Sequence, residues 1–340
     1  MILVRAPMRV SFVGGGTDLP DFYRSYPGRV ISTTIDKFVY LAINNSYKMG
    51  KFIVKYSENE SVNHPSEIKH NHFREAFLDF GLTKEGIEVS SFADVPAGTG
   101  LGSSASFAVA LVKGLNAFLG KTISKEEAAR SACRLEIDIM KEPIGKQDQY
   151  AAAYGGFNIF VFNPDETVTV EPVLLDYKTL INFEEHILVF YTGQSRSASA
   201  VLAEQSANIK NKLIEYKKMS DSVYKFRDSL LVGNMEALAN QLHENWLRKK
   251  SLVSSISNSG IDALYESGLA AGAWGGKVLG AGGGGCILFV APPGSHAEIR
   301  QIMEAKAISV GLKDFKLINV STTQNGAAIM FNSNSNKFSN

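Results

Sequence analysis

The sequence predicts an α+β protein of two domains, and three features of the chain predict it. Runs of β-branched and aromatic residues, separated by turn residues, fill the first 60 positions. Ala198 to Ala270 carries helical spacing almost throughout. At 340 residues the chain is also long for one compact core, which leaves two domains or one large α/β unit. Strands first, then helices flanking a smaller sheet, put a boundary near residues 175–190, with domains at 1–180 and 181–332. The stretch 333–340 is polar and aperiodic and is expected to be a disordered tail.

In chain order, ILVRAPMRVSFV, GRVISTTI, KFVYLAINN and KFIVKYS have strand character. Asn71 to Phe80 has helical spacing and stops at Gly81, and GIEVSSFADV is a further strand. From Ser103, SSASFAVALVKGLNAFLG is a helix apolar on most faces, hence buried, ending at Gly120. Ser124 and Glu127 form a capping box for the helix SKEEAARSACRLEIDIMK. Pro143 and Gly145 interrupt the chain before QDQYAAAYGG. FNIFVF, VTVEPV and HILVFYTG return to strand character, and three helices are expected over 198–270. KVLGAGGGGCILFVAP is a glycine loop feeding a buried strand. Ser295 and Glu298 are placed to cap another helix, and LINVSTT is the last expected strand.

The balance of 35 basic against 34 acidic residues, net +1, argues against a general nucleic-acid or membrane-surface binder, which needs a basic face. Cys133 and Cys286 have no ligand-spaced partners, so neither a disulfide framework nor a zinc site is expected. Both sit in apolar patterns as core residues. Arg5 and Arg9 interrupt the N-terminal apolar run, and no stretch of 18 apolar residues follows, so the expectation is a cytoplasmic protein without a membrane span.

Three glycine clusters carry the chemistry. PAGTGLGSSAS (96–106) joins a strand to a helix, where free N–H groups and the helix dipole can cradle phosphate. It lacks the lysine of a Walker A loop, and a serine-capped turn explains it equally well. GAGGGG (280–285) matches GxGxxG, yet a strand follows where a dinucleotide fold needs a helix. Close backbone packing, against the first loop or a nucleotide, is the useful reading; a plain turn is the other. VGGGTDLPDFY (13–23) exposes Thr17 and Asp18 in a turn, where the carboxylate can either bind sugar hydroxyls or merely form the turn. Arg9, inside the preceding strand, must find an anion or an open cleft. Glu136, late in a helix, and Asp148, at the start of the next segment, can converge on a metal and a substrate hydroxyl. Alone, Asp148 has the features of an ordinary helix N-terminal carboxylate.

Together PMRVSFVGGGTD, PAGTGLGSSAS and GKVLGAGGGGC, in this order, resemble the three motifs of the GHMP kinase family of small-molecule kinases. The resemblance implies a two-domain fold, the first domain like ribosomal protein S5 domain 2 and the second ferredoxin-like, with ATP and substrate in the cleft between them. It implies that Gly98, Thr99, Gly100, Leu101, Gly102, Ser103 and Ser104 wrap the triphosphate, and that Ser104 and Glu136 hold Mg²⁺. It assigns Asp148 to the acceptor hydroxyl, Arg9 to the transferred group beside it, and Asp18 with Thr17 to the sugar. GGGTDLP departs from the GEHTDY pattern of galactokinases, which argues against galactose.

PMRVSFVGGGTDLPDFY with PIGKQDQYAAAYGG is similar to the branch of the family that phosphorylates heptose 7-phosphates and fucose. The chain's length favours the heptose activity, which serves nucleotide-activated heptose synthesis for surface polysaccharide. A phosphorylated acceptor needs cations, and Arg29, Lys37, Lys146 and Arg196 are the candidates, with Gly283 from the late loop; each cation is otherwise an ordinary solvated surface residue. The expected partners are a sugar phosphate and ATP, without nucleic acid or membrane, and a homodimer stays open. L-fucokinase or another hexose-1-kinase is the alternative, and a non-catalytic sugar sensor is the alternative of another class.

Overall fold

Strand β1 (Ile2–Ser11) pairs antiparallel with β2 (Gly28–Asn45) along its whole length, from Ile2 opposite Ile43 to Ser11 opposite Ser32. The register slips between Pro7 and Met8, which face Phe38 and Ile35. GRVISTTI and KFVYLAINN are therefore one strand of 18 residues rather than two, with Asp36 and Lys37 carried across the slip. The computed structural model describes residues 1–47, 50–84, 86–194 and 198–333. Arg196 and the expected tail from 334 onward lie outside them.

The long β2 organises the larger sheet. Its first residues, 28–32, pair with β6 (Asn158–Phe162), which carries β7 (Val168–Pro172). Its last residues, 39–45, pair with β5 (Ile87–Ala93), followed by β3 (Phe52–Lys55) and β4 (Asn59–Val62). Behind one face lie α2 (Asn71–Asp79), α3 (Ser103–Phe118), α4 (Lys125–Cys133) and α5 (Gln147–Tyr154), preceded in the chain by the one-turn α1 (Pro20–Tyr23). The sides of α3 are buried in small and branched apolar residues, as its composition predicts, and both Ser124 and Glu127 of the α4 capping box make their bonds. A Cβ on Gly114 would stand 2.5 Å from Ile43 Cδ1, so α3 lies close against the sheet only because that position has no side chain.

A smaller antiparallel sheet of β8 (Ile187–Tyr191), β9 (Gly275–Val278), β10 (Cys286–Val290) and β11 (Lys316–Leu317) is ordered β11-β8-β10-β9. Its helices are α7 (Ala198–Asn208), α8 (Leu213–Leu231), α9 (Met235–Lys250), α10 (Ser259–Ala270) and α11 (His296–Ser309). Met8, Val10 and Ile31 of the larger sheet, with Phe12 just after β1, share one apolar cluster with Val223, Phe226, Leu242 and Leu288 of this region. Cys133 and Cys286 are both buried thiols. No helix among the described residues is long and apolar enough to cross a membrane.

Several expectations need correction. Between VTVEPV and HILVFYTG lies a helix, α6 (Tyr177–Glu185), started by Asp176, whose carboxylate accepts from Thr179 N at 2.7 Å. The region 198–270 holds four helices rather than three, because short 3₁₀ turns and Asn caps divide it. Ser295 precedes α11 without a side-chain capping bond. LINVSTT contributes strand only at Leu317; the last strand is β12 (Ala328–Asn332), which returns to pair with β1 in the larger sheet. A weak alternation flanked by Gly326 and Asn325 hid it.

Candidate active site

Alternation along β1 sends Met8 and Val10 into the core shared with α8, and sends Arg9 to the opposite face. There the guanidinium is 3% exposed and fully engaged. Nε donates to Asp148 Oδ1 at 2.7 Å, Nη2 to Oδ2 at 2.5 Å, and Nη1 to Gly100 O at 2.6 Å. The planar fork suits a carboxylate in two-pronged contact, which lysine cannot match. Asp148 sits in the first turn of α5, where the helix dipole favours its charge.

The loop 96–102 reaches α3 through three glycines at positive φ: +79° at Gly98, +77° at Gly100 and +79° at Gly102. A Cβ on Gly100 would meet Leu279 O at 2.7 Å. The late glycine loop is thus the wall behind the first loop, and Cys286 N donates to Thr99 O at 2.9 Å across the same seam. Close backbone packing is what the GAGGGG segment does. The first N–H groups of α3, beginning at Ser103, have no partner within the helix and open onto the cleft with Ser103 and Ser104.

Glu136 comes from an unexpected element. The helix predicted to run on from α4 widens at Arg134–Ile139 into a π-helical turn, an interruption common at functional sites. Glu136 is 1% exposed. Its Oε1 accepts from Ser104 Oγ at 2.7 Å and lies 3.0 Å from His72 Nε2, which must carry the proton there; Oε2 accepts from Gln149 Nε2 at 2.6 Å.

Asp18 is buried at the end of the first glycine cluster. Its carboxylate accepts from Gly16 N at 3.1 Å and from Gln147 Nε2 at 2.9 Å and N at 3.2 Å. Burial pushes its carboxyl above the usual range, the Asp148 charge adds to that, and the N–H bonds hold it back. A Cβ on Gly145 would lie 2.0 Å from Asp18 Oδ2, which explains the glycine in PIGK. Lys249, from α9, is 5% exposed and donates to Gly280 O at 2.6 Å.

These groups line one cleft of about 840 Å³ between the two sheets' regions. Arg9, Asp18, Gly98, Gly100, Gly102, Ser103, Ser104, Glu136 and Asp148 all line it. Thr99 and Leu101 do not: both side chains are buried, and they serve through their carbonyls, Leu101 O accepting from Arg9 N at 2.9 Å. Thr17 is structural, its Oγ1 donating to Gly14 O and Arg29 O at 2.8 and 2.9 Å. Three expected cations point elsewhere. Arg29 reaches Asp221 at 3.3 Å, Lys37 pairs with Asp36 at 2.9 Å, and Lys146 pairs with Glu166 at 2.6 Å. Ion pairing drew each to the nearest exposed carboxylate. Gly283 gives its N–H to Ile256 O at 2.8 Å, and Gly280 and Ala281 line the cleft in its place. Arg196 lies outside the described residues.

Sequence reasoning missed His72, Gln147, Gln149 and Lys249. Only Lys249 carried a usable signal: with Leu242, Asn245 and Trp246 it continues the buried stripe of α9 at helical spacing.

Residues 68–156 match the GHMP kinases N terminal domain, and residues 226–308 match the GHMP kinases C terminal domain, together about half of the chain. The chain belongs to the GHMP kinase family. It is therefore a phosphotransferase, with the two-region mixed fold of GHMP kinases. A D-glycero-alpha-D-manno-heptose 7-phosphate kinase of Campylobacter jejuni is 26% identical over 305 residues, 86% of this chain and 90% of the relative. A bifunctional fucokinase/GDP-fucose pyrophosphorylase of Arabidopsis thaliana is 30% identical over 331 residues, 89% of this chain but 31% of the relative. Among solved structures, a D-glycero-D-manno-heptose 1-phosphate kinase from Bacteroides thetaiotaomicron has a TM-score of 0.79 at 23% identity, over 98% of this chain and 99% of the other. At that identity the likeness speaks for the GHMP kinase fold.

Proposed function

We propose that the protein is an ATP-dependent sugar kinase that phosphorylates the anomeric hydroxyl of D-glycero-D-manno-heptose 7-phosphate, giving the 1,7-bisphosphate. The observation that carries the transfer chemistry is the meeting of two pairs in one cleft, Arg9 with Asp148 and Ser104 with Glu136. The similarity to the Campylobacter heptose 7-phosphate kinase over nine-tenths of its length supports the acceptor.

Phosphoryl transfer asks the protein mainly to position and to neutralise charge. The triphosphate would lie on the loop 98–104, its β-phosphate against the N-terminus of α3. Tyr56, His70, Phe92 and Phe107 also line the cleft and would take the flat adenine. Glu136 and Ser104 fit Mg²⁺: a buried carboxylate and a hydroxyl are hard oxygen donors. No cluster of three or more His, Cys, Asp or Glu placed to hold a metal exists among the described residues, as suits an ion bound largely by phosphates. When bound, the ion would neutralise charge on the phosphates. Asp148 would orient the acceptor hydroxyl and receive its proton as the new P–O bond forms and the β–γ bridge breaks. Arg9 would hold Asp148 in place and offset charge on the moving group.

Fucose is the second reading. It is favoured by the 30% identity to the fucokinase and by the turning of Arg29, Lys37 and Lys146 away from the cleft. An ADP-release assay with heptose 7-phosphate, sugar 6-phosphates, L-fucose and mevalonate tests both. Turnover with heptose 7-phosphate at the highest kcat/KM supports the proposal; turnover only with unphosphorylated sugars overturns it.

A further inference from the structure

Lys249 is a lysine with an unusual lack of partners. It is 5% exposed, makes no ion pair among the described residues, and gives one hydrogen bond, to Gly280 O. Two of its three N–H bonds are left over. The other buried lysine beside the site, Lys277, is accounted for: it ties β9 to the end of β1 by donating to Ser11 O and Phe12 O at 2.8 and 2.9 Å, and it does not line the cleft. Lys249 does line it.

What faces Lys249 is a polar niche with nothing in it from the chain. A Cβ on Gly15 would lie 3.8 Å from Lys249 Nζ and 4.0 Å from Gln147 Nε2, so the absent side chain leaves room between ammonium and amide. The same Gln147 amide holds Asp18, and its Oε1 is buried without a partner. Free donors on one wall and a carboxylate on the other are the complement of a molecule that both donates and accepts at adjacent atoms.

We infer that Lys249 is an acceptor-binding residue: its ammonium donates to hydroxyl oxygens of the sugar while Asp18 accepts from a hydroxyl proton beside them. The acceptor class is then a polyol with neighbouring hydroxyls, gripped by Asp18 from one region of the chain and Lys249 from the other. A carboxylate-bearing acceptor would set its charge against Asp18. Burial draws the lysine down to about 8, with Asp18 holding it up and Arg9 pressing it down, so leaving it in place without a ligand is costly. The inference rests on the sugar-kinase reading.

The test uses Lys249→Met and Lys249→Arg in the full chain, with heptose 7-phosphate and L-fucose as acceptors and direct calorimetric titration of MgATP. The expected result is an acceptor KM at least tenfold higher in both variants, a MgATP dissociation constant within twofold of wild type, and a smaller effect on kcat than on KM. Acceptor KM and kcat within twofold of wild type in Lys249→Met would overturn the inference. So would loss of MgATP affinity in a variant that keeps the wild-type circular dichroism. Wild-type enzyme that phosphorylates neither sugar would instead defeat the parent reading, a result visible before any variant is made.

Discussion

Arg9 and Asp148, 139 residues apart in sequence, hold each other through two parallel hydrogen bonds of 2.7 and 2.5 Å. Neither is free to act alone. Asp148→Asn should lower kcat by about 10²–10⁴ if the carboxylate receives the proton. The double variant with Arg9→Met should cost less than the product of the two single effects, because the groups act as a unit. Steady-state kinetics on the four proteins read this directly; multiplicative losses would separate the roles.

Glu136→Gln replaces one carboxylate oxygen with an amide that must face either the Gln149 donor or the donors from Ser104 and His72. An unmatched donor of this kind costs about 1–3 kcal/mol of stability. The apparent affinity for Mg²⁺ should fall at least tenfold, as seen by metal titration of activity. Binding of Mn²⁺ followed by electron paramagnetic resonance should weaken in parallel, and unchanged Mn²⁺ binding would remove Glu136 from the metal site.

Glycines at similar φ should differ in what alanine does to them. Gly81, at +68°, has open space where a Cβ would go, so Gly81→Ala should cost about 1 kcal/mol from the backbone alone. Gly100, at +77°, would drive its Cβ to 2.7 Å from Leu279 O. Gly100→Ala should cost more than about 2 kcal/mol and raise KM for ATP as well. Urea denaturation and ATP kinetics compare them.

Lys249→Met should stabilise the protein at neutral pH. The lysine falls from an ordinary 10.5 to about 8 on folding, so the unfolded chain binds its proton more tightly. The penalty develops as pH falls from 10.5 to about 8 and is constant below. Removing the amine should then add roughly 3 kcal/mol at pH 7, with the advantage shrinking as pH rises through that window. Urea midpoints at pH 7 and pH 10 test the sign.

Lys146→Met and Arg29→Met serve as controls. Lys146 belongs to Glu166, with Tyr23 beneath it at 4.8 Å, and Arg29 to Asp221. Both should leave acceptor KM within about twofold, since exposed pairs contribute about 0–1 kcal/mol and touch nothing in the cleft. A larger shift would return these cations to the acceptor site.

The elements most legible in the sequence were those with strong local signals. The apolar α3, the Ser124–Glu127 capping box and the buried CILFV strand all formed as their patterns require. What local pattern could not show was continuity and company. Nothing between Asp36 and Lys37 announces that β2 runs straight through; the pair falls at the slip in register opposite Pro7 and Met8. Likewise α6 and β12 are short and weakly patterned, and only their packing makes them regular.

The sequence by itself determined which residue types could do the chemistry: Arg9, Asp18, Ser104, Glu136 and Asp148 were all recognisable, because glycine loops and buried charges leave marks that motifs preserve. Tertiary structure decided which cations line the cleft. Arg29, Lys37 and Lys146 were captured by nearby carboxylates, while Lys249, the middle of an unremarkable RKK run, was turned inward by the apolar stripe of α9. A charged side chain is flexible and pairs with whatever the fold brings near, so its direction depends on packing as well as on its neighbours in the chain.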